Sequence, residues 1–182
     1  YWRNSKINFS STDSVINSLK EYPIKDFFLH KKNAEDEINF TILSKDKDII
    51  KFLNSEISTR LLWDVCRIPD FQKIMDDTYI DLLKKIFLIL IKNDLKIPEN
   101  WLNDKIRRLD NYAGGIDELT SKIANIRTWT YISNQSDWLE NKEYWKKKTR
   151  YIEDTLSDSL HETLTNRFVD ISASYFYDQK NY

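Results

Sequence analysis

Only two glycines occur in this 182-residue sequence, and they are adjacent, at Gly114 and Gly115. Glycine supplies the positive-φ positions of tight hairpin turns, so a chain with so little of it is poorly suited to a sheet-rich fold. A phosphate-binding loop needs two glycines about five residues apart before a Lys-Ser or Lys-Thr pair, and a dinucleotide fingerprint needs three glycines. Neither motif exists here, so we expect a helical chain without a nucleotide cradle or a bound cofactor of its own.

The cysteine and histidine content excludes further classes of site. The chain has one cysteine, Cys66, and two histidines, His30 and His161. A structural zinc site takes four such ligands, so one chain cannot assemble it, and no disulfide can form within the chain. No apolar run approaches the roughly 18 residues of a membrane span, and no signal-peptide pattern is present. We therefore expect a cytoplasmic protein that does not use a membrane as a partner.

Apolar spacing predicts helices along most of the chain. The strongest starts at Asp76 or Asp77, and its apolar residues follow the i, i+3, i+4 rule at Tyr79, Leu82, Leu83, Ile86 and Leu90. More apolar residues follow Phe87, which predicts a helix covered nearly all round. Apolar residues that recur every three to seven positions, with no Gly or Pro between them, predict a long helix over residues 141–170. The fold class predicted is all-α, an irregular multi-helix bundle with a long C-terminal helix.

The helical pattern also suggests three segments. Residues 1–54 are expected to hold a linker and short helices, and residues 55–170 the core of the bundle. Residues 171–182 lack the helical apolar pattern and are expected to fray. The length suits one domain or two abutting helical lobes. Because the first residue is Tyr1 and not Met, we expect a piece of a longer product, either trimmed or encoded by a split gene.

Basic residues interleaved with aromatic ones point towards a partner. The formal charge balances to -1, so any attraction to phosphate must come from local clusters. The candidates for phosphate contact are Arg107, Arg108, Arg127, Lys142, Lys146, Lys147 and Arg150. Trp129 and Trp145 lie among them and could stack on unpaired bases. The alternative is a solvated helix face, in which Arg150 pairs with Glu153 or Asp154 and the tryptophans are core residues.

No residue of the sequence indicates catalysis. Cys66 lies beside Val65 on an apolar helical stretch, which favours a buried, inert thiol over a nucleophile. His161 lies among polar residues of the long helix, where we expect it on the surface. Carboxylate pairs such as Asp76 and Asp77 occur, but acids gather at helix starts without any catalytic role.

Five strings of the sequence carry a resemblance to a known family. They are WRNSKINFSS at Trp2–Ser11, RLLWDVCRIPDF at Arg60–Phe71, IPENWL at Ile97–Leu102, GIDELTSKIANIRTWTYISN at Gly115–Asn134 and LSDSLHETLTNRFVD at Leu156–Asp170. In combination they resemble the C-terminal, helicase-associated region of the mitochondrial degradosome RNA helicase family, most closely its alphaproteobacterial members. This family belongs to the DExH-type helicases of superfamily two.

The resemblance implies a parent protein in which two RecA-like motor domains bind Mg and hydrolyse ATP. This chain would be the helical region that closes over the single strand as it leaves the motor. Its partners would be single-stranded RNA or DNA and the motor domains, in cis or in trans. The family's ATPase motifs have no counterpart here, so no catalytic residue carries over. After Asp170 the chain departs from the family and becomes an aromatic tail.

Two functions follow as expectations. The first is a non-catalytic accessory region of an ATP-dependent helicase that contacts single-stranded RNA or DNA and packs on the motor domains. The second is a protein-interaction module without nucleic-acid binding, which docks through aromatic residues near both termini. Those residues are Trp2, Phe9, Tyr175, Phe176 and Tyr177. The choice between RNA and DNA, the unwinding polarity and the oligomeric state stay open at this point.

Overall fold

Helices form all the regular structure in the described part of the chain. The computed structural model describes residues 3–22, 34–73, 77–135 and 137–178, with side chains as far as residue 169. Within these ranges it contains eight α-helices and no strand. They are α1 (Thr12–Lys20), α2 (Glu35–Leu43), α3 (Lys47–Ile50), α4 (Glu56–Cys66), α5 (Asp77–Lys92), α6 (Glu99–Arg107), α7 (Ile116–Asn134) and α8 (Lys142–Asp178). The predicted all-α class with a long C-terminal helix is confirmed.

The chain forms two compact units, Tyr1–Ile97 with α1 to α5 and Pro98–Tyr182 with α6 to α8. The predicted boundary between residues 54 and 55 stays a prediction; within the first unit, α2 packs on α4 and α5 across it. In the second unit, α8 continues to Asp178, past the predicted end at residue 170. Residues 179–182 of the predicted tail lie outside the described residues.

Polar caps start three helices of the first unit. The Ser11 hydroxyl accepts from the amide of Ser14 at the start of α1, and the Asp46 carboxylate accepts from the amides of Asp48 and Ile49 in α3. Ser55 and Ser58 form a reciprocal capping box at α4. These side chains satisfy amides that have no partner within the helix, an effect of about 0.5–2 kcal/mol per cap.

Helix α5 contributes five apolar side chains to the core of the first unit. Its buried side chains are Tyr79, Leu83, Ile86, Phe87 and Leu90. The expectation that α5 is covered nearly all round was wrong, because Lys85 is exposed and Leu88 is only half-buried. A helix that packs along one stripe leaves its other face to polar residues, as surface helices of globular proteins do.

Arg3 connects the segment that precedes α1 to α2 and α4. Its guanidinium donates to both carboxylate oxygens of Asp36, at 2.8 and 3.1 Å, and its Nε lies 3.3 Å from Glu37. The guanidinium carbon also lies 5.1 Å from the ring centre of Trp63, which is buried. Bidentate pairing and a cation–π contact together hold residues that are distant in sequence.

The second unit is a set of three packed helices. Helices α7 and α8 are joined by the short segment 135–141, so they run antiparallel, and they share the most extensive interface of the unit. The ring of Trp101 in α6 meets Trp129 in α7 edge to face at 5.7 Å. The Glu99 carboxylate in α6 accepts from the indole nitrogen of Trp145 in α8 at 3.4 Å. Each helix therefore contacts both of the others.

The glycine pair connects α6 to α7, as the sequence predicts. Gly115 is the N-cap residue of α7. Gly114 has a φ of +148°, and a Cβ atom built there would lie 2.7 Å from a carboxylate oxygen of Glu118. Only glycine fits this backbone conformation without strain.

Two kinds of feature are absent from the described residues. None of their helices is both long enough and apolar enough to cross a membrane. Nor does any group of three or more His, Cys, Asp or Glu side chains converge in a way that could hold a metal ion.

Two adjacent isoleucines test the packing of the first unit. Ile49 is 0% exposed, whereas Ile50 is 53% exposed. We expect Ile49→Ala to lower the free energy of unfolding by about 2–5 kcal/mol, because it deletes fully buried methyl groups. Ile50→Ala is the matched control and should change it by less than about 0.5 kcal/mol. Urea denaturation followed by circular dichroism measures both, and equal losses would contradict the burial pattern.

A charged network links α5 to the start of α3. The Lys84 ammonium lies 2.8 Å from Asp46 and 2.9 Å from Asp48. Burial by itself raises the pKa of Asp46, but hydrogen bonds from Lys84 and from the amides of Asp48 and Ile49 outweigh it and lower that pKa below its ordinary 3.8. Hydrogen bonds from Lys84 and Lys51 also lower the pKa of Asp48.

These shifts predict a pH dependence of stability. A carboxyl group with a lowered pKa in the folded state stabilises the fold above its ordinary pKa of 3.8, and this contribution disappears as the pH falls through the lowered value. Lys84→Met keeps an apolar stem but removes the charge. We expect it to be less stable than the wild type at pH 7 and to lose less stability on acidification. Denaturant midpoints from pH 7 down to the acid limit test this; parallel curves would contradict it.

Candidate nucleic-acid interface

The first turns of α8 carry the densest positive charge of the described chain. Five cationic residues lie between positions 142 and 150, against one carboxylate, Glu143: they are Lys142, Lys146, Lys147, Lys148 and Arg150. From position 151 to 169 the balance reverses, with four carboxylates against Arg167. Helix dipoles favour acids near the N-terminus and cations near the C-terminus. Lys142, in the first turn of α8, is therefore placed where the dipole disfavours a cation.

Three of the predicted phosphate contacts form a row on α8. Lys142, Lys146 and Arg150 are spaced four residues apart, so they follow one edge of the helix over about 12 Å. Lys146 also pairs with Glu143 at 3.4 Å, and both side chains keep solvent exposure. No ion pair or hydrogen bond within the described residues engages the Lys142 or Arg150 side chains, so these two cations are available to a ligand.

Arg127 joins this row from α7. Its Nε lies 3.0 Å from Oε1 of Glu153, whose other oxygen accepts from the Thr130 hydroxyl at 3.2 Å. Glu153 follows Arg150 by three residues, so the two are neighbours on the helix surface. The structure therefore gathers four of the seven predicted residues at the α7–α8 edge. We define the basic edge as Arg127, Lys142, Lys146 and Arg150.

The remaining three predicted residues lie elsewhere. Arg107 is the last residue of α6 and Arg108 its C-cap, both exposed. Lys148 of α8 contacts α6, and Glu153 contacts α7. These two residues are five positions apart and so point about 140° apart round the helix axis. Lys147 is exposed on the helix surface between the side that faces α6 and the side that faces α7. No contact in the described residues joins Arg107 or Arg108 to the basic edge.

The tryptophans near these residues are core residues. Trp129 and Trp145 are each 3% exposed, so their ring faces are not offered to a base. The alternative interpretation made from the sequence is confirmed for these two side chains. The ion pair that the same interpretation predicts between Arg150 and Glu153 or Asp154 is not seen in the described residues. Glu153 pairs instead with Arg127 of α7.

Sequence reasoning missed a polar cleft on the α6 side of α8. It measures about 480 Å³ and is lined by Glu99, Asn100, Asn103, Asn141, Tyr144 and Trp145. Asn141 donates to Glu99 at 2.6 Å, and Lys148 donates to Asn103 at 3.0 Å. The only sequence signal was the spacing of Tyr144 and Lys148, four residues apart on one helix. The contacts with α6 span more than 40 positions and follow from no local pattern.

Cys66 is buried, as the sequence predicts. Burial, with a smaller effect from the charge of Asp36, raises the pKa of its thiol well above the ordinary value. A thiol that stays protonated is a poor nucleophile. His161 is exposed on α8, again as expected.

The family resemblance rests on the five sequence strings. No protein-family model matches the chain, and no solved structure matches it. The geometry of the basic edge does not depend on family membership, because it follows from the positions of the charged side chains in this chain alone.

Two lysines of α8 are expected to have opposite effects on the stability of the fold. Lys142 begins the helix, where the dipole disfavours a cation, so Lys142→Gln should raise the free energy of unfolding by about 0.3 kcal/mol. Lys148 lies 5.7 and 5.1 Å from the ring centres of Tyr144 and Trp145. Because these contacts are lost, Lys148→Gln should lower the free energy of unfolding by about 1 kcal/mol. Urea denaturation compares the two, and equal destabilisation would assign Lys142 a structural role.

Proposed function

We propose that this chain is a non-catalytic accessory region of an ATP-dependent, cytoplasmic helicase, which binds single-stranded RNA or DNA along its basic edge. The observation that carries the proposal is the row formed by Lys142, Lys146 and Arg150 on α8, which Arg127 of α7 joins through its ion pair with Glu153. The resemblance of the five strings to the degradosome helicase family supports the proposal of a position beside motor domains. ATP and Mg would bind in those domains.

Helix stability does not account for the basic edge. Lys142 lies in the first turn of α8, where the helix dipole disfavours a cation, and Glu143 is the only acid of that turn. Residues that reduce local stability are expected mainly where function requires them. Lysine and arginine side chains with free ammonium or guanidinium groups neutralise phosphates, which is the sequence-independent part of nucleic-acid binding.

The charges around the edge limit the affinity. Glu143 partly neutralises Lys146, and Glu153 partly neutralises Arg127. A strand must compete with these carboxylates, so binding should be weak and sensitive to salt. If all four cations contact phosphates, log K should fall with log salt concentration at a slope of about −2.8, since each contact on a single strand contributes about −0.7.

A second candidate function is docking on a protein partner. Phe168 and Val169 on α8 are 68% and 62% exposed, and large exposed apolar residues that adjoin each other are found at protein interfaces. This candidate needs no phosphate contacts. The two functions therefore differ in their response to charge reversal on the basic edge.

Charge reversal on α8 tests the proposal. Lys146→Glu with Arg150→Glu should weaken binding of a fluorescent single-stranded 12-mer at least tenfold and reduce the salt slope by about 1.4, because two phosphate contacts are lost. The measurement is fluorescence anisotropy at several salt concentrations. The matched control is Lys20→Glu with Lys85→Glu, which makes the same charge change at exposed positions of the first unit.

The outcomes separate the two candidate functions. Wild-type affinity in the control, with weak binding in the α8 variant, supports the basic edge. Equal losses in both variants would mean that only net charge matters. A wild-type chain that binds no strand, or binds with no dependence on salt, would refute the nucleic-acid function and favour docking.

A further inference from the structure

The polar cleft beside α8 offers one aromatic ring to a ligand. The Tyr144 side chain is 55% exposed, although its ring packs edge to face on buried Trp145 at 5.1 Å. Trp145 fixes the position of Tyr144, and Lys148 contacts both rings. An exposed ring that packs on a buried neighbour is suited to stacking on a planar ligand. The cleft volume of about 480 Å³ is within the usual range for small-molecule sites.

The polar groups of the cleft favour a ligand that donates hydrogen bonds. Oε1 of Glu99 accepts from Asn141 and from Trp145, which orients the carboxylate. Its second oxygen makes no hydrogen bond within the described residues. Asn100 also lines the cleft and is exposed, and its amide can both donate and accept. A carboxylate repels phosphate but accepts well from the amino group of a base.

We propose that this cleft holds a single unpaired nucleobase that carries an amino group, stacked on Tyr144 and read at its edge by Glu99 and Asn100. The inference rests on the proposed function and deepens it, since it adds a base-binding site to the phosphate contacts. Lys147 follows Tyr144 by three residues, so the two are neighbours on the helix surface. Lys147 is exposed, and its charge attracts the strand towards the cleft without a fixed phosphate contact.

The test uses the full chain and three labelled 12-mers of equal length, which are oligocytidylate, oligouridylate and an abasic strand. Cytosine and uracil differ in the amino group, and the abasic strand offers only the backbone. The wild type should bind oligocytidylate tightest, then oligouridylate, then the abasic strand. Tyr144→Ala should weaken oligocytidylate binding by about 5- to 100-fold, the usual range for loss of one stacked base.

Three comparisons isolate the ring and the carboxylate. Tyr144→Phe keeps the stacking surface and should bind like the wild type. Tyr151→Ala removes a tyrosine that is 67% exposed on the same helix but does not line the cleft, and it should also bind like the wild type. Glu99→Gln should reduce the ratio of the affinity for oligocytidylate to the affinity for oligouridylate. Tyr144→Ala should leave both abasic-strand binding and the salt slope unchanged, because no phosphate contact is lost.

The failure of this inference differs from the failure of the proposed function. Salt-dependent binding that is identical in the wild type and Tyr144→Ala would overturn the base site and leave the basic edge standing. Equal weakening by Tyr144→Ala and Tyr151→Ala would also overturn it. Absence of binding to all three strands would refute both proposals together.

Discussion

The apolar seam between α7 and α8 determines where the charges of α8 can point. Among the described side chains of α8, the buried ones are Trp145, Thr149, Ile152 and Leu156, spaced three or four residues apart. This spacing keeps them on one side of the helix. Burial of a large apolar side chain such as Ile152 or Leu156 contributes about 1.5–3 kcal/mol. Once that side is fixed against α7, Lys142, Lys146 and Arg150 must follow one edge, and Tyr144 must lie on another.

Much of the fold was predictable because the sequence is locally consistent. The i, i+3, i+4 spacing located α5, an apolar pattern without Gly or Pro located α8, and the glycine pair located the connection before α7. The candidate site was predictable only as a set of residue types. The pairing of Arg127 with Glu153 joins positions 26 apart, and that of Asn141 with Glu99 joins positions 42 apart. Such contacts depend on how helices pack, which the local spacing of apolar residues does not determine.

Lysines in this chain have different roles that their surroundings reveal. Lys84 is held by two carboxylates and Lys148 by two aromatic rings and an amide. Lys142 has no such partner in the described residues and lies at a helix start, where the dipole disfavours a cation. The stability of the fold accounts for the first two lysines. Under the proposed function, Lys142 contacts phosphate.

Lysine footprinting tests the central claim most directly. The chain is treated with an amine-acylating reagent with and without a saturating single-stranded oligonucleotide, and modification at each lysine is measured by mass spectrometry. The account predicts that the strand protects Lys142 and Lys146, while the exposed Lys20 and Lys85 react as before. Equal reactivity of Lys142 with and without the strand, or protection spread evenly over all exposed lysines, would contradict it.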